Sequence, residues 1–304
     1  MSDWIRRDVV KVLATGLLPR YVPQNVTQET IRTRAIPSSG ESVPVVGLGT
    51  WQTFDVGPSS SEIDTLGRVL RLFVERGGRI VDSSPMYGRS EAVVGDLATE
   101  HGLASSLFHA TKVWTRGRNA GIRQMEQSFA RMRVKTMDLM QVHNLVDWRT
   151  HLNTLREWKS EGRVRYLGVT HYHEGAYDDV GRIVRQEPLD FVQINYSIAS
   201  RTVEQRLLPL LSDRGVAVLI NRPFEEGALF GRVRGRSLPA WSEEFDCVSW
   251  AQFFLKYVLA DSSVTGVIPA TSNPRHLEDN MMAGFGRLPD GAMRRRMVHH
   301  FEAL

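Results

Sequence analysis

The hydrophobic positions of this chain alternate between short apolar runs and longer segments of helical period. From about residue 44 onward, eight runs are typical of buried strands: "VPVVGLGTW", "RIVDSS", "LFHATKVW", "DLMQVHN", "YLGVTHY", "FVQINYS", "VAVLINRP" and "VTGVIPAT". Between them, residues such as Ile63, Leu66, Leu70 and Phe73 recur at the spacing of one helix face. The alternation predicts a parallel sheet covered by helices.

The first strand decides between an open and a closed parallel sheet. An open doubly wound sheet normally has a G-x-G-x-x-G turn after its first strand, and "GLGTWQTF" lacks that spacing. We therefore predict a (β/α)8 TIM barrel. Before it, "RAIPSSGES" predicts a β-hairpin that plugs the barrel floor, with "SVPVVG" as its second arm. After it, "LPDGAMRRRMVHHFEAL" predicts an accessory C-terminal helix.

Two local signals mark helix starts. Thr202 and Gln205 fit a capping box before "LLPLL". Asn273 followed by Pro274 fits an N-cap and the first helical position.

The chain divides into an N-terminal arm, residues 1–33, and a single barrel domain, residues 34–304. Arg6 and Arg7 precede a short apolar run, which resembles a twin-arginine export signal. Lys11 interrupts that run, and no small-x-small cleavage site follows it. Two interpretations stay open here: a degenerate export signal, or a helix or arm that lies on the domain.

Composition narrows the classes of partner. Hydrophobic residues make up 42% and charged residues 24% of the chain, a typical globular balance. The net charge of +4 is dispersed, which does not indicate nucleic acid but suits a small polyanionic ligand as well as a plain solvated surface. A single cysteine, Cys247, excludes an internal disulfide and a cysteine-based metal site. The histidines are scattered, and no apolar run approaches the ~20 residues of a membrane span, so we expect neither a metal nor a membrane partner.

Polar residues stand where neighbouring strands end. Asp82 ends the second predicted strand, with Tyr87 shortly after it, Lys112 ends the third, and His143 ends the fourth. Each has an ordinary structural explanation when taken alone. Because chemistry in such barrels lies at the carboxyl ends of the strands, and adjacent strands lie about 4.8 Å apart, we expect all four to share one pocket.

Together these four residues predict proton donation to an oxygen. A phenol of pKa ~10 is a weak acid near neutral pH, and a nearby ammonium lowers that pKa. Asp82 is the counter-ion that keeps Lys112 charged, and His143 directs a substrate carbonyl beside Tyr87. Because no side chain supplies hydride, carbonyl reduction by this set requires a nicotinamide.

The chain resembles the aldo-keto reductase family from about residue 35 to 285. The resemblance is carried by "GLGTW", "GRIVDSSPMYGRSE", "ATKVW", "DLMQVHN", "FVQINYS" and "VIPATSNPRHLEDN", an ordered set that is specific although each piece is weak. It implies that Asp82, Tyr87, Lys112 and His143 are the catalytic tetrad, with Tyr87 as the general acid.

The resemblance also implies contacts with the nicotinamide end of the cofactor. Thr50 and Gln193 stand where the family contacts the ribose and the carboxamide. Thr170 and His171 replace the usual Ser-Asn pair, and Asn221 stands where the family has a stacking aromatic residue.

Arg222 follows directly and has two interpretations: it contacts a cofactor phosphate, or it pairs with Glu225 or Glu226.

At the adenosine end, the helix N-terminus in "PATSNPRHLEDN" suits the 2′-phosphate of NADP(H). The family's Lys-Ser opening is Ala270-Thr271 here, so NAD(H) stays open as an alternative. The residues expected at this end are Thr271, Ser272, Arg275, His276 and Asn280.

Tryptophans past three strands predict a pocket for flat or apolar faces of a substrate. These are Trp51, Trp114 and Trp148, with Met86 and Asn144 at the sides.

The sequence thus predicts an NADP-dependent oxidoreductase that reduces an aldehyde or ketone to an alcohol, or runs in reverse. A non-enzymatic nicotinamide-binding regulatory subunit and a barrel lyase or epimerase are the alternatives. The partner is a small carbonyl compound, and either a monomer or a dimer fits. Cofactor supply favours the cytoplasm, with the periplasm as the alternative if the arginine pair directs export.

Overall fold

The computed structural model describes residues 30–58 and 61–304. The predicted N-terminal arm, including Arg6 and Arg7, lies almost wholly outside the described residues. Within those residues, no helix combines the length and apolar character needed to cross a membrane.

A β-hairpin leads into the sheet. Strands β1 (Thr33–Ala35) and β2 (Ser42–Pro44) pair in antiparallel fashion. Ile36 and Val43, from this hairpin, are fully buried against the inside of the sheet. The predicted hairpin at the barrel floor, which is the end where the strands begin, is confirmed.

Eight parallel strands follow, and each pairs with the next in chain order. They are β3 (Leu48–Gly49), β4 (Ile80–Asp82), β5 (Phe108–Val113), β6 (Met137–His143), β7 (Val164–Thr170), β8 (Phe191–Asn195), β9 (Ala217–Asn221) and β10 (Gly266–Val267). Parallel bridges from Val46 to Val267 and from Gly49 to Ala270 join the first strand to the last. The sheet therefore closes into the predicted barrel.

Helices cover the outside of the barrel. They are α1 (Ser61–Glu75), α2 (Ser90–Glu100), α3 (Arg118–Met132), α4 (Trp148–Ser160), α5 (Tyr177–Gln186), α6 (Val203–Asp213), α7 (Ala228–Arg232), α8 (Trp250–Leu259), α9 (Pro274–Met282) and the predicted accessory helix α10 (Gly291–Glu302). In α1, the predicted apolar face buries Leu66, Leu70 and Phe73 completely. Burial of each such side chain contributes about 1.5–3 kcal/mol.

The barrel interior is filled by a separate apolar cluster. Phe108, Tyr166 and Phe191 pack there with ring centroids 5.6–6.1 Å apart. The Tyr166 hydroxyl donates to Ser39 in the hairpin turn at 2.8 Å, which ties the hairpin to the sheet. The floor is therefore closed, and access to the interior is from the opposite end.

The two predicted helix caps have different outcomes. Asn273 caps α9, since its side-chain oxygen accepts from the backbone nitrogen of Arg275 at 2.9 Å. At Thr202 the predicted helix start is confirmed, since α6 begins at Val203, but the predicted capping bond is absent. The Thr202 hydroxyl donates to Glu174 at 2.9 Å and makes no bond to the helix backbone. This hydroxyl is thus bound by a carboxylate from a segment distant in sequence, which the local pattern around Thr202 does not reveal.

Candidate active site

The four predicted tetrad residues come from adjacent elements at the mouth, which is the carboxyl end of the barrel strands. Asp82 ends β4, Lys112 lies near the end of β5, and His143 ends β6. Tyr87 lies in the turn between β4 and α2. Because these strands pair side by side, the structure brings all four side chains together as expected.

Lys112 and Asp82 form a buried ion pair. The Lys112 Nζ lies 2.6 Å from Asp82 Oδ2, and the two residues are 0% and 3% exposed. The same Nζ donates to the carbonyl oxygen of Ser83 at 2.6 Å. Burial acts to lower the pKa of Lys112, but the charge of Asp82 and the nearby Tyr87 phenol outweigh it, and the pKa is raised. Lys112 is therefore an ammonium.

Two amides complete the surroundings of Asp82. Its Oδ1 accepts from Gln193 Nε2 at 2.8 Å and from Gln141 Nε2 at 3.3 Å. Both amides are buried. The carboxylate is therefore held on both oxygens, which fixes the direction in which it presents its charge to Lys112.

Tyr87 contacts both Lys112 and His143. The Lys112 Nζ lies 4.9 Å from the centroid of the Tyr87 ring, and the His143 ring meets the phenol edge-on at 6.1 Å. Burial raises the pKa of Tyr87 and outweighs the lowering by Lys112, while Asp82 adds to the rise. The expected lowering of this pKa is wrong, because Asp82 offsets the ammonium charge and burial disfavours the phenolate.

His143 is a neutral imidazole at physiological pH. Burial, followed by the charges of Lys112 and His171, lowers the pKa of His143 to about 3. Its Nδ1 lies 3.2 Å from the hydroxyl of Ser84. In the tautomer whose Nδ1 accepts from Ser84, the neutral ring carries its proton on Nε2, which can donate to a ligand oxygen.

Three of the four tetrad residues, Asp82, Tyr87 and His143, line a pocket of about 750 Å³ at the mouth, and Lys112 is buried behind them. That volume is typical of small-molecule sites. Predicted residues that line it are Thr50, Trp51, Asp82, Met86, Tyr87, Trp114, His143, Asn144, Thr170, Gln193, Asn221 and Arg222. Trp148 is not among the lining residues; it is the first residue of α4, and the Arg149 guanidinium stacks over its ring at 4.1 Å.

A cluster of amides and hydroxyls joins the pocket to the tetrad. Thr170 Oγ1 donates to Gln193 Oε1 at 3.0 Å, and Asn221 Nδ2 lies 3.4 Å from the same oxygen. Thr50 Oγ1 donates to the backbone oxygen of Asp82 at 3.0 Å. The predicted contacts for the nicotinamide end thus form one connected network.

His171 and Arg222 make contacts within the protein. The His171 ring stacks on Tyr172 at 5.3 Å and is not among the residues that line the pocket. Arg222 lines the pocket, and its Nε lies 3.4 Å from Glu226 and its Nη2 4.0 Å from Glu225. The predicted ion pair is therefore present, and Arg222 also faces the site.

Four of the residues predicted for the adenosine end lie at or just before the start of α9, shortly after the pocket residue Ala270, and the fifth, Asn280, lies near the end of that helix. Thr271 and Asn280 are buried, whereas Ser272, Arg275 and His276 are exposed. Arg275 forms no ion pair with the described residues.

Several pocket residues were missed by the sequence prediction. Phe224 and Phe230 line the pocket with ring centroids 4.9 Å apart, and Tyr172 lines it as well. The only signal for them was their position in the segments that follow β7 and β9, since their place at the pocket depends on how those segments fold. Gln141 was also missed, although it lies two residues before His143 and points into the barrel, as the strand alternation allows.

Within the described part of the chain, no group of three or more His, Cys, Asp or Glu residues is arranged to hold a metal ion.

Comparison with known proteins agrees with this geometry. The family model described as "Aldo/keto reductase family" matches residues 45–296. That match covers most of the chain, and the chain belongs to this family of oxidoreductases.

Among curated relatives, the aldo-keto reductase YhdN of Bacillus subtilis is 26% identical over 214 residues, which are 66% of this chain and 64% of that protein. The chain thus spans slightly less than two thirds of YhdN. The methylglyoxal reductase YeaE of Escherichia coli is 27% identical over 258 residues, or 81% of this chain and 88% of that protein. An aldo-keto reductase from Klebsiella pneumoniae, crystallised with NADPH, shares the fold with a TM-score of 0.73 and 21% identity, over 90% of this chain and 95% of that one.

Proposed function

We propose that this chain reduces the carbonyl group of an aldehyde or ketone to an alcohol, with NADP(H) as cofactor and Tyr87 as general acid. The observation that carries the proposal is the Lys112–Asp82 ion pair, buried beside Tyr87 and the neutral His143 at one pocket. Membership of the aldo/keto reductase family supports the same reaction class.

The donor set fits a nicotinamide nucleotide. The Thr170, Gln193 and Asn221 network offers hydroxyl and amide groups to a carboxamide, and α9 begins beside the pocket with Arg275 near its N-terminus. A bound reduced nicotinamide supplies the hydride that no side chain can provide.

NADP(H) is favoured because the N-terminus of α9 and Arg275 suit the added phosphate. NAD(H) is the alternative, since Ala270 replaces a lysine of the family pattern. The relatives include both cases: aldo-keto reductases crystallised with NADP or NADPH, and an Escherichia coli protein named NADH-specific methylglyoxal reductase, 28% identical over 232 residues.

The residues divide the proton chemistry among them. His143 donates a hydrogen bond to the substrate carbonyl oxygen and places it beside the Tyr87 hydroxyl. Burial keeps Tyr87 protonated at neutral pH, which is the state that a proton donor needs. When the proton leaves, the Lys112 ammonium stabilises the phenolate, and Asp82 keeps that ammonium in place.

The pocket lining favours substrates with an apolar or flat body. Trp51, Met86 and Trp114 are each about two-fifths exposed at the mouth, and Phe224 and Phe230 extend the same apolar lining. Two relatives are named methylglyoxal reductases. A test panel therefore includes a 2-oxoaldehyde and an aromatic aldehyde.

The cytoplasm, where NADPH is supplied, is the proposed location, and residues 34–304 are the proposed catalytic domain. Export directed by Arg6 and Arg7 is the alternative.

The test replaces Tyr87 by Phe. We expect turnover, measured as NADPH oxidation with the aldehyde panel, to fall by about a thousandfold, because the general acid is lost. The dissociation constant for NADPH, measured by quenching of tryptophan fluorescence, should change little. Retained turnover in the Tyr87→Phe variant would show that another group donates the proton.

The wild-type protein separates the alternatives in the same assays. A protein that binds NADPH but oxidises none of it with any carbonyl compound is a regulatory subunit. A protein that does not bind NADPH fits the lyase or epimerase.

A further inference from the structure

The side-chain nitrogen of Asn221 donates hydrogen bonds, whereas its side-chain oxygen is an unused acceptor. Its Nδ2 donates to the backbone oxygen of His171 at 3.2 Å and lies 3.4 Å from Gln193 Oε1. Its Oδ1 is buried and has no hydrogen-bond partner among the described residues. Asn221 lines the pocket at the end of β9.

Neighbours that only accept hydrogen bonds fix the orientation of this amide. A backbone carbonyl cannot donate, so the nitrogen of Asn221 must face His171. Gln193 is fixed in the same way, because its Nε2 faces the carboxylate of Asp82 and its Oε1 faces Thr170 and Asn221. Exchange of nitrogen and oxygen in either amide would break these bonds. The unused atom of Asn221 is therefore an acceptor.

A buried acceptor without a donor is unfavourable, and a ligand that brings an N–H group removes the penalty. The reacting carbonyl oxygen of a substrate is only an acceptor and does not satisfy Asn221 Oδ1. A nicotinamide carboxamide has two N–H donors and meets the requirement. Asn221 is also bonded to the network of Thr170 and Gln193, which already faces the proposed nicotinamide end.

We propose that Asn221 Oδ1 accepts a hydrogen bond from the carboxamide nitrogen of the bound nicotinamide and thereby orients the ring. This inference rests on the proposed function and assigns a polar positioning residue to a place where the family has a stacking ring. In this chain, the end of β9 thus recognises the substituent of the ring by a hydrogen bond.

The test compares two nucleotides in two proteins. NADP⁺ carries the carboxamide, whereas its 3-acetylpyridine analogue has a methyl group in place of the nitrogen and offers no N–H. Dissociation constants are measured by quenching of tryptophan fluorescence, without turnover. We expect the wild-type protein to bind NADP⁺ about tenfold more tightly than the analogue, which is the size of one hydrogen bond. In the Asn221→Leu variant, which keeps the branched shape of the side chain and removes the acceptor, the ratio should fall to about one.

Asn144 supplies the matched control. It is an asparagine in the same pocket, and it also leaves a buried Oδ1 without a partner. Asn144→Ala should leave the ratio of the two dissociation constants at its wild-type value. A second control, Arg275→Ala, should weaken both nucleotides equally.

The outcomes are distinct. An unchanged ratio in Asn221→Leu, or a ratio that collapses in Asn144→Ala, overturns the inference while the proposed function stands. If Asn221→Leu does not fold, Asn221→Ala repeats the comparison, and a wild-type ratio near one overturns the inference without any variant. Failure of the wild-type protein to bind NADP⁺ overturns the proposed function itself.

Discussion

The two ends of the barrel bury different kinds of side chain on the same strands. At the floor, β5 places Phe108 among apolar residues that the hairpin covers with Ile36 and Val43. Four residues later, at the mouth, the same strand buries Lys112 against Asp82. A single strand therefore contributes packing at one end and a buried charge at the other.

The backbone conformation also differs between the mouth and the floor of the barrel. Among the described residues, seven of nine non-glycine residues with positive φ lie in loops at the mouth: Gln52, Asn144, Leu145, Asp147, Arg222, Glu225 and Glu226. The other two, Arg133 and Asp246, end helices. Four turns from helix to strand at the floor place glycine at positive φ, and the turn from α3 to β6 uses Arg133; the glycines are Gly77, Gly102, Gly162 and Gly215. A non-glycine residue at positive φ costs about 1–3 kcal/mol, so this backbone strain is concentrated at the mouth, where those side chains lie.

The largest effect is expected where the buried charge is removed. Lys112→Met should lower turnover about a thousandfold, because the phenolate loses its stabilising ammonium. It should also lower the free energy of unfolding by about 3–5 kcal/mol, since Asp82 is left buried without a partner. Steady-state NADPH oxidation and urea denaturation measure the two effects.

The double variant Lys112→Met, Asp82→Asn separates the two roles. Removal of both charges should restore most of the stability and none of the turnover. If the single variant Lys112→Met kept half of the wild-type turnover, the buried charges at the mouth, like the side chains at the floor, would serve packing alone.

A change at the other end of the same strand should affect stability only. Phe108→Ala should lower the free energy of unfolding by about 3–5 kcal/mol through the cavity that it leaves. At a temperature where the variant is folded, kcat should stay within about twofold of the wild-type value. Phe108→Leu is the milder control, with a smaller loss of stability. Equal loss of turnover in Phe108→Ala and Lys112→Met would remove the distinction between the two ends.

Much of the fold could be predicted because its signals are local. Strands that are buried on both faces appear as continuous apolar runs, and α1 shows its buried face as a helical repeat. The N-cap at Asn273 depends only on its own helix, and it is confirmed. The helix start at Thr202 was predicted in the same way and is present, but its capping bond is absent, because the Thr202 hydroxyl donates to Glu174 in a separate segment.

The site was predictable to the extent that strand ends determine it. The residues at the ends of β4, β5 and β6 converge as the barrel requires. The direction of the Tyr87 pKa was not predictable, since it depends on the balance of burial against the Lys112 charge. The position of Trp148 outside the pocket, and that of Phe230 within it, follows from loop conformations that no repeat in the sequence encodes.

The pH dependence of stability allows a histidine at the mouth, His143, to be compared with one near the floor. The pKa of His143 is lowered to about 3 in the folded protein, below its ordinary value near 6.5. As pH falls from 6.5 toward 3, the unfolded chain binds a proton that the folded His143 does not. As the pH is lowered, the free energy of unfolding therefore decreases by at most about 1.4 kcal/mol per pH unit. His143→Gln should flatten this slope in urea titrations between these pH values.

His109, near the floor end of β5, is the matched control. Burial lowers its pKa too, so His109→Gln should flatten the slope in the same direction. Only His143→Gln should also reduce turnover, because only that ring meets Tyr87. A pH slope that neither substitution changes would contradict the lowered pKa of both rings.

The smallest effect is expected at the rim of the mouth, where Arg222 faces both Glu226 and the pocket. Because this ion pair is partly exposed, Glu226→Gln should change the free energy of unfolding by less than about 1 kcal/mol. It should tighten NADPH binding by about twofold to fivefold, since a competing carboxylate no longer holds the guanidinium. Arg222→Gln should weaken binding by a similar factor. Both effects should disappear in about 1 M salt, where the Debye length is about 3 Å. If neither substitution alters the dissociation constant at low salt, Arg222 serves the loop alone, and this part of the mouth resembles the floor.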